Sequence, residues 1–408
     1  MFELIRANKR RAFVLMAAMA ALLGALGYGL GLAFWHRPLE GLVVAFVIWA
    51  VLALVTWFQG DALILQASGA RRIEKKDHPV LFDVVEEMTI AAGLPKTPEV
   101  YILDVEAPNA FATGRSPERA KIAVTAGLLE RLNRDELQGV IGHEIGHVAN
   151  RDVLYMMVAT IMIGAIVMLA DIGFYGFLFG GGGGGRRTSS SGGGGQAQAI
   201  MMLVALVLVI LAPILAQLFY FALSRRREYL ADASSARYTR YPDGLASALE
   251  KIAANTTPMP QVSRATAALY IANPLKAGAR GLSDLSSTHP PISERIRILR
   301  SMSSDASYAS YDKAFKSVSG RAVGVVPFSA ASETDAVQTR AASADASAAV
   351  SSRASRRRDT TNALWSAQGY RFIDCPCGVR LKVPPRFPKD VVTCPNCGRD
   401  HSLSPKRL

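Results

Sequence analysis

Four long apolar runs interrupt an otherwise mixed chain. Residues 12–35 read AFVLMAAMAALLGALGYGLGLAFW, and residues 41–58 form a second run. Residues 154–179 and 198–223 form a third and a fourth, separated by glycines and serines that carry Arg186 and Arg187. A helix needs about 20 apolar residues to cross a bilayer, so the pattern predicts four membrane-spanning helices. The first run is too long for a cleavable leader, and a second span follows it at once.

Residues 59–153 show the alternation of a folded domain instead. Residues 79–92 read as an amphipathic helix stopped by Gly93, with Pro95 beyond. Val100–Val105, Ala110–Thr113 and Lys121–Thr125 read as short strands bounded by Pro, Asn and Gly. A helix is expected from about Asp135, and further helices from Arg225 to about Arg300. The domain would thus be split into residues 59–153 and 224–300 by the third and fourth spans. Residues 301–368 are rich in Ser and Ala with little periodicity, which predicts a flexible linker with a short helix around Tyr308–Val318. Residues 369–408 form a small terminal module.

The net charge is +13, while half of the residues are hydrophobic. Many of the cations flank the apolar runs. Arg6, Lys9, Arg10 and Arg11 precede the first, Arg71, Arg72, Lys75 and Lys76 follow the second, and Arg225 to Arg227 follow the fourth. The loop between the first two holds only Arg37. Basic residues gather on the cytoplasmic side, so both termini and the folded domain are expected there, in a multi-pass protein of the inner (cytoplasmic) membrane with the lipid bilayer as a partner. Arg186 and Arg187 run against this topology. The same pattern makes nucleic acid a poor explanation of the charge.

The candidate chemistry starts with His143-Glu144-Ile145-Gly146-His147, an H-E-x-x-H sequence. Residues four apart share a helix face, so both imidazoles can reach one zinc ion while Glu144 faces its open coordination position. There Glu144 would take the proton of an attacking water and return one to the leaving amine. Apolar Val140, Ile141, Ile145 and Val148 set the motif into a core rather than on a solvated face. A hydrolytic zinc wants a third protein ligand. Glu228 and Asp232 lie four apart after the fourth run, and Glu228 could complete the shell while Asp232 holds a ligand histidine. By itself, an acidic pair after an arginine run also reads as a surface salt bridge.

Four stretches decide between these readings: H-E-x-x-H followed by Val148-Ala149-Asn150-Arg151-Asp152, the E-Y-L-A-D segment at Glu228, Pro108–Gly114, and Thr288-His289-Pro290-Pro291 leading to Glu294-Arg295. In this order they resemble the HtpX-type membrane zinc metallopeptidases, relatives of the CAAX prenyl proteases, over roughly residues 1–300. The resemblance implies that Glu228 is the third zinc ligand and that Asp232 lies behind the ligands. It places Asn109 on the strand side of the substrate cleft and His289 and Arg295 near the site, with His289 supporting the substrate carbonyl. It also implies protein or peptide substrates, cut in their cytoplasmic segments as quality control. The expected fold is an α-helical membrane protein with a mainly helical, zincin-like α+β catalytic domain and a small C-terminal zinc ribbon. Two other functions stay open: a membrane adaptor without activity, and CAAX-type processing of lipidated peptides.

All four cysteines fall in the terminal module, as Cys375-Pro-Cys377-Gly and Cys394-Pro-Asn-Cys397-Gly. Clustered pairs with such spacing read as a closed, structural zinc site, a second zinc beside the catalytic one. Redox dithiol chemistry is the alternative. The module is expected to recruit a substrate or protein partner.

Overall fold

Two long apolar helices and one small sheet set the frame. The structure is a computed structural model that describes residues 2–32, 37–161, 210, 225–259, 262, 266–272, 290–302, 305–331, 336–343 and 352–403. Helices α1 (Phe2–Leu30) and α2 (Pro38–Ala67) lie antiparallel. The Trp49 indole donates to the Met16 carbonyl at 3.2 Å. Gly27 and Gly41 meet so closely that a Cβ on Gly41 would stand 2.2 Å from the Gly27 carbonyl oxygen, as small residues allow between membrane helices. Both helices are long and apolar enough to cross a membrane, with mean hydropathy of 1.9 and 2.5 over their best windows. Val43, Val47, Val51, Leu54 and Phe58 of α2 are exposed, a face suited to hydrocarbon rather than water. Of the third expected span only helix α6 (Asp152–Ile161) is described. The fourth is described at residue 210 alone, and the Gly-rich stretch 180–195 lies outside the described residues.

Strands β1 (Arg71–Arg72), β2 (Glu99–Leu103), β3 (Ala110–Thr113) and β4 (Lys121–Thr125) form one sheet in the order β1-β2-β4-β3. β2 and β4 are parallel, and β3 runs antiparallel to β4 with Ala112 opposite Ile122. Side chains alternate between faces with period two, and the alternation separates two cores. Val100, Ile102, Ala110, Ala112, Ile122 and Val124 join the core of helices α3 (Pro79–Ala91) and α5 (Arg134–Ala149). Leu103, Phe111 and Ala123 instead join a cluster with Leu15 and Met19 of α1 and Ile64 and Leu65 of α2. One face of the sheet thus serves the core of α3 and α5 and the other rests on the base of the long helices. Helix α4 (Ala126–Arg131) joins β4 to α5. A helix through residues 225–239 (α7), α8 (Pro242–Ala253) and α9 (Ile292–Arg300) complete the domain.

The stretch 301–368 differs from the flexible linker that its composition predicts. It holds helix α10 (Tyr308–Ser319), where a short helix was expected, and helices α11 (Phe328–Ala331) and α12 (Arg353–Ala367), where none was. α10 buries Tyr308, Tyr311 and Phe315 in the main core, while α12 lies on α4 and buries Thr360 and Ala363. Between them, the Arg340 amide donates to the Arg240 carbonyl at 2.8 Å, and the Arg340 guanidinium reaches Asp135 at 2.8 Å and Gln138 at 2.7 Å. Beyond α10, small residues and polar contacts do this work, so hydropathy gives no sign of it. The terminal module is two hairpins, β5 (Arg371–Asp374) with β6 (Arg380–Val383) and β7 (Val391–Thr393) with β8 (Asp400–Ser402). It sits against α12, with Lys382 Nζ 2.8 Å from the centre of the Trp365 ring, and α12 is tied to the domain by Ser366, which donates to Asp77 at 2.6 Å.

Candidate active site

Helix α5 is started by a capping box, in which the Asn133 side chain accepts from the Glu136 amide and Glu136 accepts from the Asn133 amide. Its glycines let two partners come unusually close. A Cβ on Gly139 would stand 2.5 Å from the Leu245 amide nitrogen, and one on Gly146 would stand 3.0 Å from the Ser234 Cβ. This approach brings α7 against the histidines. His143 Nε2 and His147 Nε2 are 3.2 Å apart, and the Glu228 carboxylate lies 3.8 Å from the first and 3.4 Å from the second. Three ligands of a tetrahedral zinc at about 2.0–2.2 Å stand about 3.3–3.5 Å from one another. The spacing of the donors therefore fits the ion.

The far side of each imidazole is fixed by a carboxylate. His143 Nδ1 lies 2.9 Å from Asp232, and His147 Nδ1 lies 3.2 Å from Asp152. Such contacts aim the other ring nitrogen at a metal. Arg295, fully buried, holds Asp232 through two hydrogen bonds of 2.8 and 2.7 Å, donates to the Ile271 carbonyl at 3.0 Å, and lies 3.5 Å from Glu228. Asp152 escaped the sequence reading as a functional residue, although its stretch carried the resemblance. Its placement depends on Arg151, a non-glycine residue at φ 60 that turns the chain back beneath His147.

Charge follows from these contacts. Burial lowers the His143 pKa to about 4, against the pull of Asp232. Burial also opposes a charge on His147, but the Asp152 and Glu228 carboxylates outweigh it and lift the ring to about 10. Burial would raise Asp232; the Arg295 guanidinium overcomes it and holds the carboxyl below its usual range. The gap between His147 and Glu228 thus demands positive charge, as a dication would supply. Glu144 is different. Burial raises it to about 8, the Ala112 amide donates to it, and its Oε1 has no hydrogen-bond partner among the described residues.

Asn109 is buried at the start of β3, with its side-chain amide donating to the Ala272 carbonyl at 2.9 Å and its oxygen accepting from the Ala110 amide at 3.1 Å. It ties the strand to residues 266–272. His289 lies outside the described residues. In the terminal module, Cys375 Sγ and Cys397 Sγ are 3.5 Å apart and Cys377 Sγ and Cys394 Sγ 3.6 Å, with all four within 4.8 Å of one another. Both knuckles close on a glycine at positive φ, Gly378 at 86 and Gly398 at 70, whose amides return to the Cys375 and Cys394 carbonyls. The shorter C-x-C turn therefore presents its thiols much as the longer one does.

A buried carboxylate beside three side chains that could hold a metal has no use in a structural site, and suits a metallopeptidase. Sequence comparison gives the family. The profile of peptidase family M48 matches residues 75–303, and the chain belongs to that family. It is 44% identical over 301 residues to the "Protease HtpX homolog" of Dictyoglomus thermophilum, covering 74% of this chain and 94% of that one. The protein of the same description from Streptococcus gordonii is 43% identical over 303 residues, 74% of this chain and 100% of the relative. Among solved structures, the crystal structure of S. mikatae Ste24p matches with a TM-score of 0.41 and 18% identity, over 73% of this chain and 67% of that one. The family match ends before α10, so α10, α12 and the cysteine module lie outside it.

Proposed function

We propose that the chain is a zinc endopeptidase anchored in the cytoplasmic membrane, which cuts membrane or misfolded proteins at the cytoplasmic face. The observation that carries this reading is Glu144 Oε1, unpaired among the described residues beside the His143–His147–Glu228 cage. In this reading those three residues hold the zinc, within a peptidase unit made of residues 59–153 and 224–300. Zinc held there supplies a Lewis acid for the scissile carbonyl and makes water a better nucleophile at neutral pH. Glu144 takes the proton from that water and passes it to the leaving amine. Burial raises the Glu144 carboxyl and a neighbouring dication would lower it, and this opposition suits a group that must accept a proton and then release it. The Ala112 amide holds the carboxylate in place, and Asp152, Asp232 and Arg295 keep the ligands oriented. The four cysteines hold a second, structural zinc.

Replacing Glu144 with Gln should leave the metal and the fold in place and lower turnover of a protein substrate about 10²–10⁴-fold. A zinc-loaded Glu144→Gln enzyme that works near the wild-type rate would overturn the mechanism.

A further inference from the structure

Three elements distant in sequence meet at one level of the molecule. In α2 no charge occurs between Glu40 and Asp61. The apolar stretch 41–58 spans about 27 Å at the helical rise, close to the thickness of a hydrocarbon core. It ends at Trp57 and Phe58, both exposed, the residue types that mark the boundary between membrane and water. Across these rings lies Arg115, its guanidinium 5.7 Å from each ring centre and donating to the Trp57 carbonyl at 3.1 Å. The third element is the start of α1. From the Trp49–Met16 contact to Phe58, α2 rises about 13 Å, and the same rise along antiparallel α1 leads to the stretch that carries Arg6 and Arg10. Both are exposed. Cations and aromatic rings at one height are what a phospholipid headgroup layer attracts.

The collar is rigidly joined to the catalytic site. Arg115 follows β3 by one glycine, and Gly114 at φ 130 packs so tightly that a Cβ there would stand 2.5 Å from the Arg119 carbonyl oxygen. Lys121 of β4 pairs with Asp61 of α2 at 2.9 Å, with both side chains largely buried. Ala112, whose amide holds Glu144, is three residues before Arg115, and three residues of chain span at most about 11 Å.

We propose that Arg115, over Trp57 and Phe58, seats the catalytic domain on the phosphate layer of the bilayer and so restricts the enzyme to juxtamembrane segments. An extended substrate advances about 3.3 Å per residue. A base within about 11 Å of the headgroup level, plus a few ångströms to the scissile bond, reaches cleavage sites within about six residues of the end of a span. The substrate class is thus a chain that leaves the bilayer in extended form, rather than a free peptide or a distant loop. The proposal rests on the membrane endopeptidase reading above.

The test uses the full chain in nanodiscs of phosphatidylethanolamine and phosphatidylglycerol. Its substrates are single-span proteins with an unstructured cytoplasmic tail of uniform repeating sequence, so that position alone decides the cut. Mass spectrometry should find cuts clustered within about six residues of the span. A spacer of about ten uncleavable residues next to the span should slow cleavage at least about tenfold. Arg115→Glu should spread the cuts along the tail, while Arg115→Lys keeps them clustered. Cuts spread evenly by the wild type, or a spacer without effect, would overturn the proposal and leave the peptidase reading standing. A zinc-loaded wild type that cuts none of these tails, nor any unfolded protein, would sink both. Should Arg115→Glu fail to fold, the spacer series on the wild type still decides.

Discussion

The His143–His147–Glu228 cage and the four-cysteine cluster both gather metal-binding atoms within 4.8 Å, yet they are built in opposite ways. The cage is made of buried side chains inside a large core, with carboxylates behind each imidazole and an unligated Glu144 beside it. The cysteine cluster is half exposed, is braced by backbone turns, and has only Cys375, Leu381 and Cys394 in its buried cluster among the described residues. Three ligands leave a coordination position for chemistry, whereas four thiolates close the shell. The cage is set in a large apolar core. The cysteine module has no such core among the described residues, so its metal would be its folding energy.

The widest separation between the two sites is expected from removing one ligand of each. Wild-type protein should hold about two zincs, and Glu228→Ala and Cys394→Ala about one each. Glu228→Ala should abolish turnover yet keep the domain folded. Cys394→Ala should unfold the hairpins after residue 369, because apparent binding energies of about 10–16 kcal/mol come with a structural zinc, while turnover changes little. Metal analysis, limited proteolysis and an activity assay read all three. A single zinc that survives Glu228→Ala and is lost in Cys394→Ala would erase the comparison.

A smaller effect is expected behind the ligands, where the cage has two unequal supports. Asp232→Asn and Asp152→Asn should each weaken zinc binding about 10–100-fold in competition with a chelator. Asp232 also neutralises the fully buried Arg295, and leaving a buried charge unpaired costs about 3–5 kcal/mol. Asp152 also faces a buried cation, Arg227, but at 3.7 Å rather than through the 2.7 and 2.8 Å hydrogen bonds of Arg295, so Asp232→Asn should lower the melting temperature more than Asp152→Asn does. Equal melting temperatures would show that the Arg295–Asp232 pair is worth no more than the Arg227–Asp152 pair.

How far each part was legible from the sequence follows from how locally it is built. His143, Glu144 and His147 lie one turn apart on one helix, so spacing alone revealed them. Glu228 and Asp232 required the resemblance, since only the folded core brings α7 to α5. Asp152 is adjacent in sequence, but its role depends on the backward turn at Arg151, which no hydrophobic pattern records. The strands and α3 appeared within a few residues of their expected limits, because their alternation faces real cores on the two sides of the sheet. In the stretch 301–368 the helix around Tyr308–Val318 was expected, whereas α12 and the docking of residues 336–343 were missed for the opposite reason. α12 is docked through Thr360 and Ala363, and residues 336–343 through hydrogen bonds, contacts too small or too polar to leave a periodic trace.

The smallest effect tests the join between the family core and the extension that carries the cysteine module. Asp135, in the first turn of α5, accepts from the Ser343 amide at 2.9 Å, the Ser343 hydroxyl at 2.7 Å and Arg340 at 2.8 Å. Burial would raise its pKa, but the bonds from Ser343 and Arg340 outweigh burial and lower it. A carboxyl depressed by docking binds protons more readily when undocked. The join is therefore at full strength above the ordinary carboxylate range, and it weakens as pH falls through the depressed value. Hydrogen bonds to a charged group are worth about 1.5–3 kcal/mol, and exposure of Arg340 reduces this to about 1–2 kcal/mol. Asp135→Asn should raise hydrogen exchange in residues 336–343 at neutral pH by that amount and remove most of the further rise on acidification. If the wild type and Asp135→Asn show the same acid-dependent rise, the join is held by Arg340 and Arg240 through backbone carbonyls, and the charge on Asp135 contributes nothing to it.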